Sequence, residues 1–150
     1  IPEQPGLMIS CDCFGSLVPN FRFPAGKIYE NLLQKQNKNI GEVSTVEASD
    51  ITLINFENAE RAQLVYKKSN QEINFQDINT IDLEKIISQI LADQTLIGSQ
   101  IISAKGPMIC SGPFVNNQIY LNTIKQNWSS PIICEDDHLG LCKGIASLIS

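Results

Sequence analysis

Apolar residues recur along this chain in two rhythms. Leu83, Ile86, Ile87, Ile90 and Leu91 fall at three- and four-residue steps, which predicts an amphipathic helix with Thr80 as its N-cap. Ile119, Tyr120 and Ile124 share one side of a second helix over 116–127, and Ile28, Leu32 and Leu33 share one side of a short helix over 27–36. Small and apolar residues over 139–149 predict a fourth helix. The other rhythm is continuous or alternating. Residues 7–16 read as a buried strand that closes in a tight turn at Gly15-Ser16, after which Pro19, Pro24 and Gly26 break the chain. Residues 43–56 are rich in β-branched side chains and predict a strand that Asp50 interrupts, with a further strand over 61–68. Ser69 to Glu72 turn the chain back toward Ile73 and Phe75. Two short buried strands follow, 107–111 and 131–134, ended by Gly112-Pro113 and by Glu135-Asp136-Asp137.

The predicted order is β-β-β-α-β-α-β-α with an extra segment near Lys27, an α/β arrangement with one mixed sheet and helices packed on it. Strands that alternate with helices near the end of the chain imply parallel neighbours joined by crossovers. At 150 residues the chain is read as a single domain, 1–150. Hydrophobic residues make up 43% and charged residues 18%, which suits a packed core and argues against disorder. No apolar run approaches the roughly 18 residues of a membrane span, so no membrane partner is expected. The opening Ile1-Pro2-Glu3-Gln4 has neither Met nor the basic and apolar regions of a signal peptide, which points to a processed or excised lobe of a larger protein.

Charge and cysteine content narrow the chemistry. A net charge of -5, with Lys67-Lys68 the only adjacent basic pair, disfavours binding to a phosphate backbone, so nucleic acid is not expected as a partner. Five cysteines are an odd number for a disulfide framework and favour a reducing, cytoplasmic setting. Cys11, Cys110 and Cys134 lie in apolar runs, where Cys acts as a small buried hydrophobe. Cys134-x3-His138-x3-Cys142, with Cys11-x-Cys13, offers soft ligands, but the spacing matches no common zinc finger, and buried thiols beside an exposed His138 are the favoured reading. No metal site is assigned. Neither Cys134 nor Cys142, each four residues from His138, sits in a nucleophile turn, and Ser10, Ser16 and Ser111 lack a G-x-S-x-G elbow. Trp128 reads as a partly buried anchor.

Two segments carry a family resemblance. Asp12-Cys13-Phe14-Gly15-Ser16 resembles the phosphate-binding D-x-G-G-[ST] turn after the first strand of the acetate and sugar kinase, Hsc70 and actin superfamily. Ser111-Gly112-Pro113-Phe114-Val115-Asn116 resembles its adenosine motif before a helix. Leu139-Gly140 and Gly144-Ile145-Ala146 are similar to the closing helix of sugar-kinase-like and pantothenate-kinase-like proteins. The resemblance implies a ribonuclease H-like fold and a nucleotide-binding lobe of a phosphotransferase, with ATP and Mg²⁺ held between two lobes. It implies that Asp12, Gly15 and Ser16 face phosphate and metal, and that Gly112, Asn116 and Gly140 line the adenosine side. A glycine turn lets the backbone approach a ligand, and the helix behind it offers N–H groups to an anion. The alternative is a non-enzymatic interaction or scaffold domain that pairs with a second lobe or with itself. A third reading is a metal-dependent ribonuclease H-like nuclease, with Asp12, Asp82 or Glu84, and Asp136, Asp137 and His138 as ligands.

Overall fold

A computed structural model of the chain describes residues 4–35, 46–75 and 78–135. It is a mixed α/β structure of three helices and small sheets: β1 (Leu7–Cys11), β2 (Leu17–Phe21), α1 (Ala25–Gln34), β3 (Ile51–Ile54), β4 (Gln63–Tyr66), α2 (Thr80–Ile101), β5 (Met108–Ser111), α3 (Gln118–Asn127) and β6 (Ile132–Glu135). None of the described helices is long and apolar enough to cross a membrane.

Helix α2 is the hub. Its 22 residues make a rod about 33 Å long, and α1, α3, β2 and β3 all pack against it. The predicted stripe is inside: Leu83, Ile86, Ile87, Ile90 and Leu91 are buried among Ile28 and Leu32 of α1, Leu64 of β4 and Leu121 and Ile124 of α3. The cap lies one residue earlier than expected. Asn79, not Thr80, is the N-cap: its Oδ1 accepts the Asp82 N–H at 2.8 Å, and its Nδ2 donates to the Asp82 carboxylate at 2.7 Å. The Asp82 charge in the first turn also opposes the positive end of the helix dipole.

Strands β3 and β4 pair antiparallel with Ile51 opposite Tyr66 and Leu53 opposite Leu64. Ile51 and Leu53 point inward and Ile54 outward, the two-residue period of a half-buried strand. The strand predicted over 43–56 is shorter than that. Residues 43–45 lie outside the described residues, and Ala48–Asp50 form a 3-10 turn whose Asp50 N–H bonds the Glu47 carbonyl, so Asp50 does interrupt the strand. Asn55, at φ +53°, ends it; a short polar side chain tolerates that left-handed backbone.

Strands β5 and β6 are parallel and joined through α3, as strand–helix–strand order requires. Met108, Cys110 and Ile132 touch the core, while Ile109 and Ile133 face outward, so the two strands are half-exposed rather than buried. Trp128 is the anchor expected at the end of α3: its Nε1 donates to the Gly106 carbonyl at 3.0 Å. On α3 itself Tyr120 and Ile124 are buried, but Ile119 turns away from the core.

Two expectations are corrected. The segment 7–16 is not a buried strand: β1 stops at Cys11 and pairs with β2 as an antiparallel hairpin, Ile9 opposite Pro19, and most of β1 is exposed. A continuous apolar run does not say which of its faces meets a core, and this one is held chiefly by Phe21 at the base of β2. Cys11 is accordingly exposed; on the half-exposed β5–β6 pair Cys134 is exposed and Cys110 half-buried. The strands do not form one mixed sheet either. Among the described residues they make three two-stranded sheets, β1–β2, β3–β4 and β5–β6. Among the described residues two strands, where one was expected, precede α1 and four, where three were expected, precede α2; β2 and β3 each pack on the long flank of α2.

The hairpin meets α2 at Gly98. A Cβ built there would overlap the Phe21 ring, with the Cγ atom of Phe21 at 2.6 Å. Phe21 also stacks beside Phe56 and Phe23, at centroid separations of 5.7 and 6.1 Å. Gly98→Ala gains helix propensity, about 1 kcal/mol, but overpacks the ring, at about 1–3 kcal/mol. The expected result is a lower Tm in thermal unfolding, a fall that disappears when Gly98→Ala is instead compared with its parent in a Phe21→Ala chain. A Gly98→Ala chain as stable as the parent would show that the hairpin does not bear on α2.

Candidate functional site

The turn after β5 is built around a glycine. Gly112 has φ +89° and ψ -173°, backbone that essentially only glycine adopts. Pro113 then opens a 3-10 turn, Pro113–Asn116, its fixed φ suiting a first helical position. Val115 N–H bonds the Gly112 carbonyl at 3.1 Å and Asn117 N–H the Phe114 carbonyl at 3.0 Å. Asn117 caps α3, accepting the Tyr120 N–H on its Oδ1 at 3.0 Å.

This turn forms one wall of a cleft of about 760 Å³. Helix α1 supplies Gly26, Tyr29 and Glu30, helix α2 supplies Glu84 and Ser88, and the turn and the start of α3 supply Phe114, Asn116, Asn117 and Gln118. Tyr29 meets the edge of Phe114 at 5.8 Å, and Phe114 leans on Tyr120 at 4.9 Å. Gly26 lies beside the Phe114 ring, where an added Cβ would make an ordinary contact at 3.9 Å. The floor is polar and tied together. Ser88 is 1% exposed; its Oγ accepts from Asn117 Nδ2 at 2.9 Å, and it stands near enough to Tyr29 to act on its phenol. Tyr120 shares a 2.8 Å hydrogen bond with Thr95 Oγ1. Aromatic walls with a few fixed donors and acceptors are the usual make-up of a small-molecule cleft, and the volume falls in the ordinary range of roughly 300–1,000 Å³.

The residues expected to act together are divided by the fold. Asn116 lines the cleft and Gly112 shapes its turn. Asp12, Gly15 and Ser16 lie at the tip of the β1–β2 hairpin and are not among the cleft walls. There Asp12 Oδ1 accepts the N–H groups of Phe14 at 2.9 Å and Ser16 at 2.8 Å, and Gly15 turns the chain at φ +82° with open space where a Cβ would be. The hairpin reaches α2 at Gly98, ten residues beyond Ser88, or about 15 Å along the helix. Gly140 lies outside the described residues, as do His138, Cys142, Asp136, Asp137 and the helix predicted over 139–149. Among the described residues no three of His, Cys, Asp and Glu converge where a metal ion could sit.

Sequence reasoning missed Tyr29 and Ser88, gave Phe114 no role inside the motif that holds it, and weighed Glu84 only as a metal ligand. Ser88 did leave a signal: a small polar residue between Ile87 and Ile90, in the most apolar part of α2, marks a place where the helix faces something other than hydrocarbon. Nothing in the sequence joins Tyr29 to Phe114. No family of known proteins, no curated protein and no solved structure matches the chain.

Three acidic groups around this region are held above their ordinary values. Burial raises Tyr29, helped by the Glu84 charge and opposed by the Ser88 hydroxyl. Burial raises Tyr120 against its hydrogen bond to Thr95, with Cys110 adding to the rise. Burial raises Cys110, with Cys134 adding and Lys125 opposing. The folded chain therefore favours the protonated forms more than the unfolded chain does. Their contribution is complete below the ordinary thiol and phenol values of 9.0 and 10.0 and is lost as pH climbs through the raised values. Thermal unfolding across pH should show a Tm that falls above pH 9.0, with a shallower fall in Tyr120→Phe. An identical alkaline slope in that variant would remove Tyr120 as a contributor.

Proposed function

We propose that the chain is a nucleotide-binding lobe of an actin-like or sugar-kinase-like phosphotransferase of the ribonuclease H-like class, and that the cleft between α1, α2 and the Gly112 turn takes the adenosine part of ATP. The observation that carries the reading is the Gly112–Asn117 turn: a strand, a glycine in backbone closed to other residues, and a capped helix open together on an aromatic-walled cleft. A purine can lie on the open side of the Tyr29–Phe114 pair by offset or edge contact. Asn116 and Gln118 supply amide groups that can both donate and accept, which suits a base edge or ribose hydroxyls.

Charge sets the orientation. Glu30 and Glu84 stand on the rim formed by α1 and α2 and repel phosphate, so the triphosphate with its Mg²⁺ leaves the cleft on the side of α3. Asp12, Gly15 and Ser16 serve the phosphates only if a second lobe or a rearranged hairpin brings them there, since their turn stands apart from the cleft. Acceptor chemistry then belongs to the partner lobe.

Thermal unfolding with Mg²⁺ alone, adenosine and Mg-ATP at millimolar levels tests this. The expected result is no shift with Mg²⁺ alone and a rise in Tm with adenosine or Mg-ATP, set by a stabilisation of RT ln(1 + [L]/Kd), adenosine retaining most of the effect. Gly112→Val, or Asn116→Ala if the former does not fold, weakens the binding measured by calorimetry. No shift with adenosine or Mg-ATP, or unchanged affinity in both variants, removes the assignment.

A second reading, an interaction domain that pairs with another lobe or another copy, is favoured by one observation. Ile109 and Ile133 are neighbours in register on the outer face of β5–β6, 65% and 42% exposed. A parallel pair is ordinarily covered on both faces. If that face is an interface, sedimentation shows concentration-dependent association of the parent chain that Ile109→Lys abolishes. A strictly monomeric parent chain would sink self-association.

A further inference from the structure

Two of the described cysteines face each other across a sheet. Cys110 of β5 and Cys134 of β6 are register partners, one rung from the end of the parallel pair. They are 24 residues apart in sequence, so the fold alone brings them together. Register partners in a parallel pair point to the same face. Neighbouring strands lie about 4.7–4.9 Å apart, inside the roughly 4.4–6.8 Å of Cα separation that a disulfide spans. The electrostatic influence of Cys134 on Cys110 is consistent with that closeness. No other described cysteine has this arrangement: Cys11 stands opposite Leu17, and Cys13 lies in the hairpin turn.

We propose that Cys110 and Cys134 are a dithiol that closes reversibly to a disulfide by exchange with a low-molecular-weight disulfide of the glutathione type. Exposure fixes the order of events. Cys134 is exposed and Cys110 half-buried against the core. The Cys134 thiolate attacks the small disulfide, forming a mixed disulfide at its Sγ and releasing one small thiolate. The Cys110 thiolate then attacks the Cys134 Sγ, forming the protein disulfide and releasing the second. The two protein thiols are oxidised by two electrons, the small disulfide is reduced to two thiols, and the two protons given up by the protein thiols end on those thiols. Burial slows the second step by keeping Cys110 protonated, so the closing step quickens as pH rises. The closed form staples β5 to β6 two residues before Gly112, and it is expected to melt at a higher temperature than the reduced form.

The full chain is equilibrated at 25 °C in glutathione buffers of rising disulfide-to-thiol ratio, quenched by alkylation and cut with trypsin and a glutamate-specific protease. That digestion places Cys134 in the peptide 126–135, apart from Cys142. The expected product is a crosslink between that peptide and the one holding Cys110, growing with the ratio and removed by dithiothreitol. Cys110→Ser is expected to stop at a single glutathionyl group on Cys134, and Cys134→Ser to leave Cys110 reduced. Both thiols fully alkylated at every ratio would overturn the proposal. So would a lasting mixed disulfide on Cys134 in the parent chain, or a crosslink from Cys134 to another cysteine.

Discussion

The structure depends on helix α2 being buried on more than one side. An amphipathic helix ordinarily hides one stripe, and Leu83, Ile87, Ile90 and Leu91 are that stripe here. Around its middle the buried set widens: Ser88 and Ala92 lie well round the helix from Ile90, and both are covered. A helix enclosed this way needs small residues wherever a neighbour must come close. Ser88 admits Asn117, and Gly98 admits the Phe21 ring. Larger side chains at those two points would push away α3 at one end and the β1–β2 hairpin at the other, while the apolar stripe itself would be untouched.

The same constraint builds the cleft. Ser88 is a buried hydroxyl, and such a group is stable only with partners. Its partner is Asn117, so one side chain on α2 ties down the start of α3, with Tyr29 of α1 beside it. Asn117 meanwhile caps α3 with its other amide atom, which fixes how the helix enters and where Tyr120 stands. Tyr120 then supports Phe114, and Phe114 faces Tyr29. The cleft is thus a consequence of satisfying one buried polar group among apolar neighbours. The glycine at 112 lets the chain leave β5 sharply enough to close that arrangement.

The parts legible in the sequence are those set by local rules. The stripe of α2, the face of α1 and the parallel pairing of β5 with β6 follow from spacing and from strand–helix–strand order, and all three are present. Asp50 as a break also follows from local chemistry. The hairpin was not legible because its apolar residues do not reveal whether a core exists to receive them. Leu17, Pro19 and Phe21 read as a broken stretch, yet Pro19 sits within a two-stranded ribbon, whose outer edge does not require its missing N–H. The separation of the three strand pairs was equally hidden, since the length and burial of α2 decide it and no strand records that. At the candidate site, Gly112 and Asn116 were legible as a turn before a helix. Tyr29 was not, because it enters from an element nearly ninety residues away.

On the nucleotide reading, the division of the expected site has a physical meaning. Asp12 spends one carboxylate oxygen on the amides of its own turn, which fixes the loop shape without any ligand. A loop shaped in advance is suited to receive a group delivered to it. The cleft, by contrast, is shaped by α1, α2 and α3 and holds acidic groups where a phosphate would have to pass on one side. An acidic chain with net charge -5 gains little from long-range attraction of ATP, so affinity must come from short-range contact with the uncharged part of the ligand. Aromatic walls and amide groups provide that kind of contact, and phosphate handling falls to groups that the described residues do not gather in one place. The same argument makes adenosine, rather than triphosphate, the part of the ligand to which this lobe is matched.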